Sequence, residues 1–592
     1  MTRMTLLFAA TIALLAVPAQ AQQTNTGAAV HLNQLIKDVR AFDLREDPEL
    51  AGRMGDLAAL ARWRDVSPGA RARRAKVNAG FAARLAGIDR SGLNHAQAVN
   101  AALLDFVLRD RAVSARFDEA AFPFTNDSGF HTAPAFAARS TRADSMARAK
   151  AWIARLDALP DYFSQQEANL RAGMKTGITQ PQRIVDDIIA TVQATLDNPD
   201  FATDFAAPLA ALPRATPPKQ RAALEQELDR TVRDRVRPAY VKLLAFLRDD
   251  YRPAARASLG LWGVPDGKAW YAALVRRYTT TDMTPLAVHQ LGLAEVKRIR
   301  KEMDAVIKKT GFDGDFAQFL HFLRTDTRFY AKTPDELLRR AAWIAKTADG
   351  KLPQFFGRLP RLPYGVYPVP VAIAPHYTSA RYWPGDARAH RAGGYMVNTY
   401  ALDQRPLYAL PSLTLHEAVP GHHLQGALAQ ELEDVPEFRK ELYLTAFGEG
   451  WALYAEKLGG EMGMYTTPYE EFGRLTYEMW RACRLVMDTG IHAMGWSRER
   501  AMACLKDNSA LSLHNIETET DRYISWPGQA LGYKIGELTI LRLRERAEKA
   551  LGADFDLRAF HDAVLGDGAV TMTMLEDKIT RWIKAQQAAA RP

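Results

Sequence analysis

From about residue 30 to about residue 350, apolar positions recur at intervals of three and four, the period of amphipathic helices. Trp152, Ile153, Leu156, Leu159 and Tyr162 fall on one stripe, which predicts a helix over 151–162. Ile184, Ile188, Ile189, Val192 and Leu196 predict another over 184–196. Breakers punctuate the run at 177–181, at Pro213, at Pro217-Pro218 and at 263–267, and Thr284-Pro285 has the form of a helix start. No fixed-period repeat or low-complexity tract interrupts it. The pattern changes near Leu352. Pro353, Pro360, Pro363, Pro368, Pro370 and Pro375 forbid long helices, while Val366, Tyr367, Val369, Val371 and Ile373 favour extended backbone. After Arg391-Ala392-Gly393-Gly394, the run Tyr395-Met396-Val397-Asn398-Thr399-Tyr400 predicts a second short strand, so a small antiparallel pair is expected here. Its free edge could hold an extended peptide by main-chain hydrogen bonds, with Tyr395 and Asn398 as contacts, or it could be a plain surface hairpin. Helical periodicity then resumes, strongest over 443–458. The expected fold is therefore mainly α, a large multi-helix body with a groove. Residues 22–350 would form one side of the groove and 351–592 would carry the chemistry, in one continuous body.

The first 21 residues change the picture. Arg3, the apolar run from Leu6 to Val17 and Ala19-Gln20-Ala21 read as a cleavable secretory signal, which implies a periplasmic or secreted protein. No later stretch approaches the roughly 20 apolar residues of a membrane span, so stable membrane insertion is not expected. The net charge of +9 is scattered and forms no block, which argues for a solvated basic surface and against a nucleic-acid partner. Cys483 and Cys504 are the two cysteines, on what look like neighbouring helices; in an oxidising compartment they could pair, or remain buried thiols. Oligomeric state leaves no trace in the sequence.

Candidate chemistry concentrates in Leu413-Thr414-Leu415-His416-Glu417-Ala418-Val419-Pro420-Gly421-His422-His423-Leu424-Gln425. Neutral imidazole is a good zinc ligand, and a carboxylate beside the ion can take a proton from its water. In the familiar H-E-x-x-H arrangement one helical turn places both histidines on one face. Here His416 and His422 are six residues apart, about 120° out of phase on a regular helix, and His423 lies roughly 10 Å up the axis. Pro420 cannot bond back to the His416 carbonyl and Gly421 accepts unusual backbone angles, so a bulge is expected between them. Absorbing two residues makes His422 the second ligand; absorbing three makes it His423, and the smaller distortion favours His422. The bland alternative is a Pro-Gly turn with surface histidines. Glu449, 27 residues beyond His422 in an apolar helix, is the expected third ligand, with Glu456 as a substitute ligand or a partner that supports a ligand from behind. Tyr533 and His492 could donate to an oxyanion, and Arg522 could pair with a substrate carboxylate.

Three motifs carry a resemblance. His416-Glu417-Ala418-Val419-Pro420-Gly421-His422-His423, Glu449-Gly450-Trp451-Ala452-Leu453-Tyr454-Ala455-Glu456 and Pro527-Gly528-Gln529-Ala530 resemble the bacterial family known as domain of unknown function 885, over about 35–590. That family is in turn similar to the large helical gluzincin peptidases, whose zinc is held by two histidines and a downstream glutamate. The resemblance implies one zinc ion on His416, His422 and Glu449, with Glu417 as general base. The two extra residues between the histidines depart from the gluzincin pattern. The expected function is an exported zinc metallopeptidase acting on oligopeptides. The rivals are a zinc hydrolase of a non-peptide ester or amide, and a periplasmic peptide-binding protein without turnover.

Overall fold

A computed structural model describes residues 27–590 apart from 371–373, 375–376 and 388–389. The signal-like segment and the far end of the first expected strand, Val371 and Ile373, lie outside the described residues. The protein is mainly helical with one small sheet. The 184–196 stripe forms the helix Gln182–Asp197, which buries Ile184, Val185, Ile188, Val192 and Leu196. The 151–162 stripe is two helices, not one: Met146–Asp157 and Leu159–Thr176 meet at Ala158, with Pro160 in the first turn of the second. Proline lacks a donor, which a first turn does not need. Pro353 likewise fails to stop a helix early, since Pro334–Phe355 runs past it into its last turn.

Helix α1 (Pro285–Thr310) starts where Thr284 accepts the Ala287 amide on its hydroxyl. The sheet follows, with β1 (Tyr364–Pro368), β2 (Ala380–Trp383) and β3 (Gly393–Val397) in the order β1-β3-β2. This corrects the expected antiparallel pair. The two anticipated strands, β1 and β3, lie parallel, with Val366 opposite Tyr395. The antiparallel partner of β3 is β2, an edge strand the sequence reading passed over.

The site is carried by α2 (Leu410–Glu417), α3 (His422–Gln430), α4 (Thr445–Glu461), α5 (Pro468–Met494), α6 (Leu513–Ser525) and α7 (Gly532–Leu551). Helices α4 and α7 cross where Gly450 meets Gly536; a Cβ on Gly536 would stand 1.9 Å from the Ala446 carbonyl oxygen, so no larger residue fits. Helix α5 is buried almost continuously from Phe472 to His492. Its Phe472, Leu475, Met479 and Met487 belong to the same apolar core as Phe163, Leu247, Ile299 and Leu323 of the N-terminal half. The hydrophobic interior therefore crosses the compositional boundary near residue 350.

Inside this interior is a knot of charge. The Lys534 ammonium, fully buried on α7, meets Glu478 at 2.8 Å, Glu537 at 2.6 Å and Glu295 at 3.2 Å, tying α7 to α5 and α1. Cys483 and Cys504 form a disulfide with Cα atoms 5.7 Å apart, joining α5 to the helix Arg498–Asn508. Among the described residues, no helix is long and apolar enough to cross a membrane.

Candidate metal centre

Helix α2 delivers His416 and Glu417 in its last turn and stops at Ala418. The expected bulge within one helix is a complete break. The Val419–Pro420 peptide is cis, the Gly421 amide returns to the Leu415 carbonyl at 2.9 Å, and α3 begins at His422. The chain folds so tightly over α2 that a Cβ at position 421 would lie 2.0 Å from the His416 carbonyl oxygen. Glycine is required for that approach. Trp451 fixes the turn from α4, donating its indole N–H to the Pro420 carbonyl at 2.8 Å.

The reversal brings the His416 and His422 rings to 4.8 Å, nearly perpendicular. Glu449 enters from α4, and one ligand atom from each of the three residues lies within 4.8 Å of the others. His423 points elsewhere. Its Nδ1 lies 3.1 Å from the Tyr382 hydroxyl and its ring packs on Tyr364. Burial pushes it down to about 4, against a hydrogen bond to the Leu362 main chain.

Glu456 stands behind this trio. Its Oε1 is 2.7 Å from His416 Nδ1, while its Oε2 accepts the Ser412 hydroxyl at 2.5 Å. With Glu456 on Nδ1, His416 Nε2 faces Glu449, and a metal ion binding there would displace the proton that Nε2 carries in its absence. Burial alone would lower the His416 pKa, but Glu449 and Glu456 outweigh it and hold the ring up to about 10. Burial likewise favours a neutral Glu449, and His422 and His416 override it, holding the carboxyl well below the usual range. Tyr443 donates its hydroxyl to Glu449 Oε1 at 2.7 Å. The other oxygen, Oε2, is buried and accepts no hydrogen bond, although the Nε2 atoms of His422 and His416 flank it at 3.2 and 3.5 Å. Two imidazole nitrogens and a carboxylate oxygen converging on one point are a donor set suited to zinc, and a cation there would satisfy the stranded oxygen. These residues fit the ion.

Glu417 is beside the trio and outside it. Its Oε2 accepts the Tyr382 main-chain N–H at 2.7 Å, so strand β2 holds the carboxylate in place. Tyr533 lies with its ring nearly parallel to that of His416, at 6.4 Å. Arg522 reaches the Tyr533 hydroxyl at 3.5 Å and donates to Gln529 at 2.8 Å. Three anticipated residues are not brought to the centre. His492 is fully buried, accepting the Leu261 amide on Nδ1 and bonding the Tyr523 carbonyl through Nε2, so it has no donor left for an oxyanion. Asn398 is spent on the 374–400 loop, donating to the carbonyls of Ala374, Tyr377 and Thr378 and accepting the Tyr400 amide. Tyr395 is fully buried with its hydroxyl on Thr414. Both side chains are engaged within the fold. The sequence reading missed Ser412, Tyr443 and the Tyr382 amide. Ser412 stands one helical turn before His416, a spacing that could have revealed it; a main-chain amide leaves no signal.

The HExxxxHH turn and the Glu449 helix sit inside a match that spans residues 48–579, to bacterial proteins of unknown function. The chain belongs to that family, DUF885. Among solved structures, this DUF885 chain superposes on a protein described provisionally as a lipoprotein from Colwellia psychrerythraea. That match has a TM-score of 0.87 at 25% identity, covering 94% of this chain and 99% of the other. A second such protein, of unknown function, from Shewanella oneidensis, superposes with a TM-score of 0.69 at 19% identity, over 94% of this chain and all of the other. The second likeness is one of fold. No curated protein matches the chain.

Proposed function

We propose that this DUF885 chain is an exported zinc-dependent peptidase of the gluzincin kind. The observation that carries the reading is the stranded Glu449 Oε2 between two histidine nitrogens, with the Glu417 carboxylate beside them. A bound zinc ion would polarise the scissile carbonyl and acidify a water molecule. Glu417, held through Oε2 by strand β2, would take the proton from that water and pass it to the leaving amine. The carbonyl carbon gains the hydroxyl, the C–N bond breaks and the amine leaves protonated. Tyr533 accepts a hydrogen bond from Arg522, so its own hydroxyl proton is free to donate to the developing oxyanion. Strand β2 lies at the edge of the sheet beside Glu417, so a substrate main chain running along it would pass the base. Export is supported by the signal-like start, by the disulfide and by the description of the two structural relatives as lipoproteins.

The test is metal analysis of protein purified without a histidine tag, followed by product analysis on a mixture of oligopeptides. One zinc per chain, lost in His416→Ala, together with hydrolysed peptides is the expected result. Absence of zinc from the parent protein, or intact peptides after incubation with zinc-loaded protein, would overturn the reading.

A further inference from the structure

Around Tyr533, guanidinium groups outnumber the carboxylates that could balance them. Arg484 is 2% exposed and lies over the Tyr533 ring at 4.2 Å. Its Nε donates to the Tyr523 hydroxyl at 2.9 Å and one terminal nitrogen to Glu519 at 3.0 Å, while the other terminal nitrogen is buried with no partner. Arg522, about one-fifth exposed (21%), shares that same Glu519 at 3.4 Å and otherwise meets the neutral groups of Gln529 and Tyr533. Burial would raise the Glu519 pKa, but Arg522 and Arg484 hold it down to about 2, so Glu519 supplies one full negative charge and no more. Arg481, on the same ring, leans toward Glu456 at 3.5 Å, a carboxylate already engaged by His416. Two guanidiniums on one carboxylate leave a positive charge largely out of water. Such a charge is costly unless an anion answers it.

We infer that Arg522, backed by Arg484 and positioned by Gln529 and Tyr533, is a subsite for the free C-terminal carboxylate of a peptide, directing cleavage to the end of the chain. The inference rests on the peptidase reading above. Tyr533 spans the gap between the two functions, with its ring 6.4 Å from that of His416 and its hydroxyl 3.5 Å from Arg522. An extended peptide advances roughly 3.3–3.6 Å per residue, so one or two residues on the leaving side reach from the scissile bond to Arg522. The one carboxylate that every peptide carries, whatever its sequence, is its C-terminus. Guanidinium suits it, since its paired N–H groups match a carboxylate.

The experiment uses zinc-loaded protein and N-terminally free hexapeptides, each made as the free acid and as the C-terminal amide, with products identified by mass. The expected products lack one or two C-terminal residues, and kcat/KM favours the acid by roughly 10–100-fold, the worth of one charge-assisted contact. Arg522→Gln should abolish the preference mainly by raising KM for the acid, and Arg522→Lys should restore part of it, with the melting temperatures of both near the parent's. Equal cleavage of acid and amide at internal bonds would overturn the subsite and leave the peptidase reading standing. If neither form is cleaved, the peptidase reading fails, and calorimetric binding of the two forms to zinc-loaded Glu417→Gln decides the subsite separately: acid-over-amide preference keeps it, and equal binding removes it.

Discussion

At the scale of single residues, the two adjacent histidines have opposite environments. His422 faces Glu449 at 3.2 Å, whereas His423 turns to Tyr382 and Tyr364. His422→Ala should therefore empty the proposed site, while His423→Ala keeps most of its zinc; metal analysis showing the reverse would reassign the ligand. Glu417 is a different kind of neighbour, held by a main-chain amide beside the trio. Glu417→Gln keeps size and hydrogen bonding but removes the proton acceptor. Zinc content should persist while peptide turnover falls about 10²–10⁴-fold. Loss of zinc in that variant would make Glu417 a ligand and refute its assignment as base.

At the scale of elements, what matters is the break between α2 and α3. Since a Cβ at position 421 would lie 2.0 Å from the His416 carbonyl oxygen, Gly421→Ala must push α3 away from α2. The expected outcome is weakened zinc retention together with a lower melting temperature; unchanged zinc affinity would show that the turn does not set the distance between the histidines. The types of the three converging residues, and the need for a distortion between the histidines, were legible in His416-Glu417 followed by Pro420-Gly421. Its form was not, because a proline followed by glycine permits a bulge and a reversal alike, and Trp451, 31 positions on, helps decide between them. Helices with an apolar stripe, such as Gln182–Asp197, were legible from period alone. Strand β2 was not, since Ala380-Arg381-Tyr382-Trp383 is four residues of mixed character near prolines and loops. The parallel pairing of β1 with β3 was equally hidden, because it depends on β2 lying beyond β3, and short-range pattern says nothing of strand order. Tyr395 and Asn398 were assigned to substrate on the strength of strand position, yet both are consumed by their own neighbours.

At the scale of the whole molecule, α1, α5 and α7 are locked by the Lys534 knot, and α5 and α7 carry Arg481 and Tyr533 to the candidate metal centre. Lys534→Met would leave Glu537 buried without its ion partner and Glu478 short of one. Removing one member of such a cluster costs about 3–5 kcal/mol, so the urea midpoint should fall steeply; a midpoint equal to the parent's would show that the knot is neutral to stability. The shared core has a further consequence, in time. Ile299 and Leu323 are packed against residues of α5, which ends at Met494. A ribosome adding about 5–20 residues per second reaches that point roughly 10–40 s after finishing α1. Throughout that interval α1 lacks the α5 surface it closes upon. A newborn chain that cannot complete its interior early stays threadable, and a passage across a membrane in extended form demands such a chain.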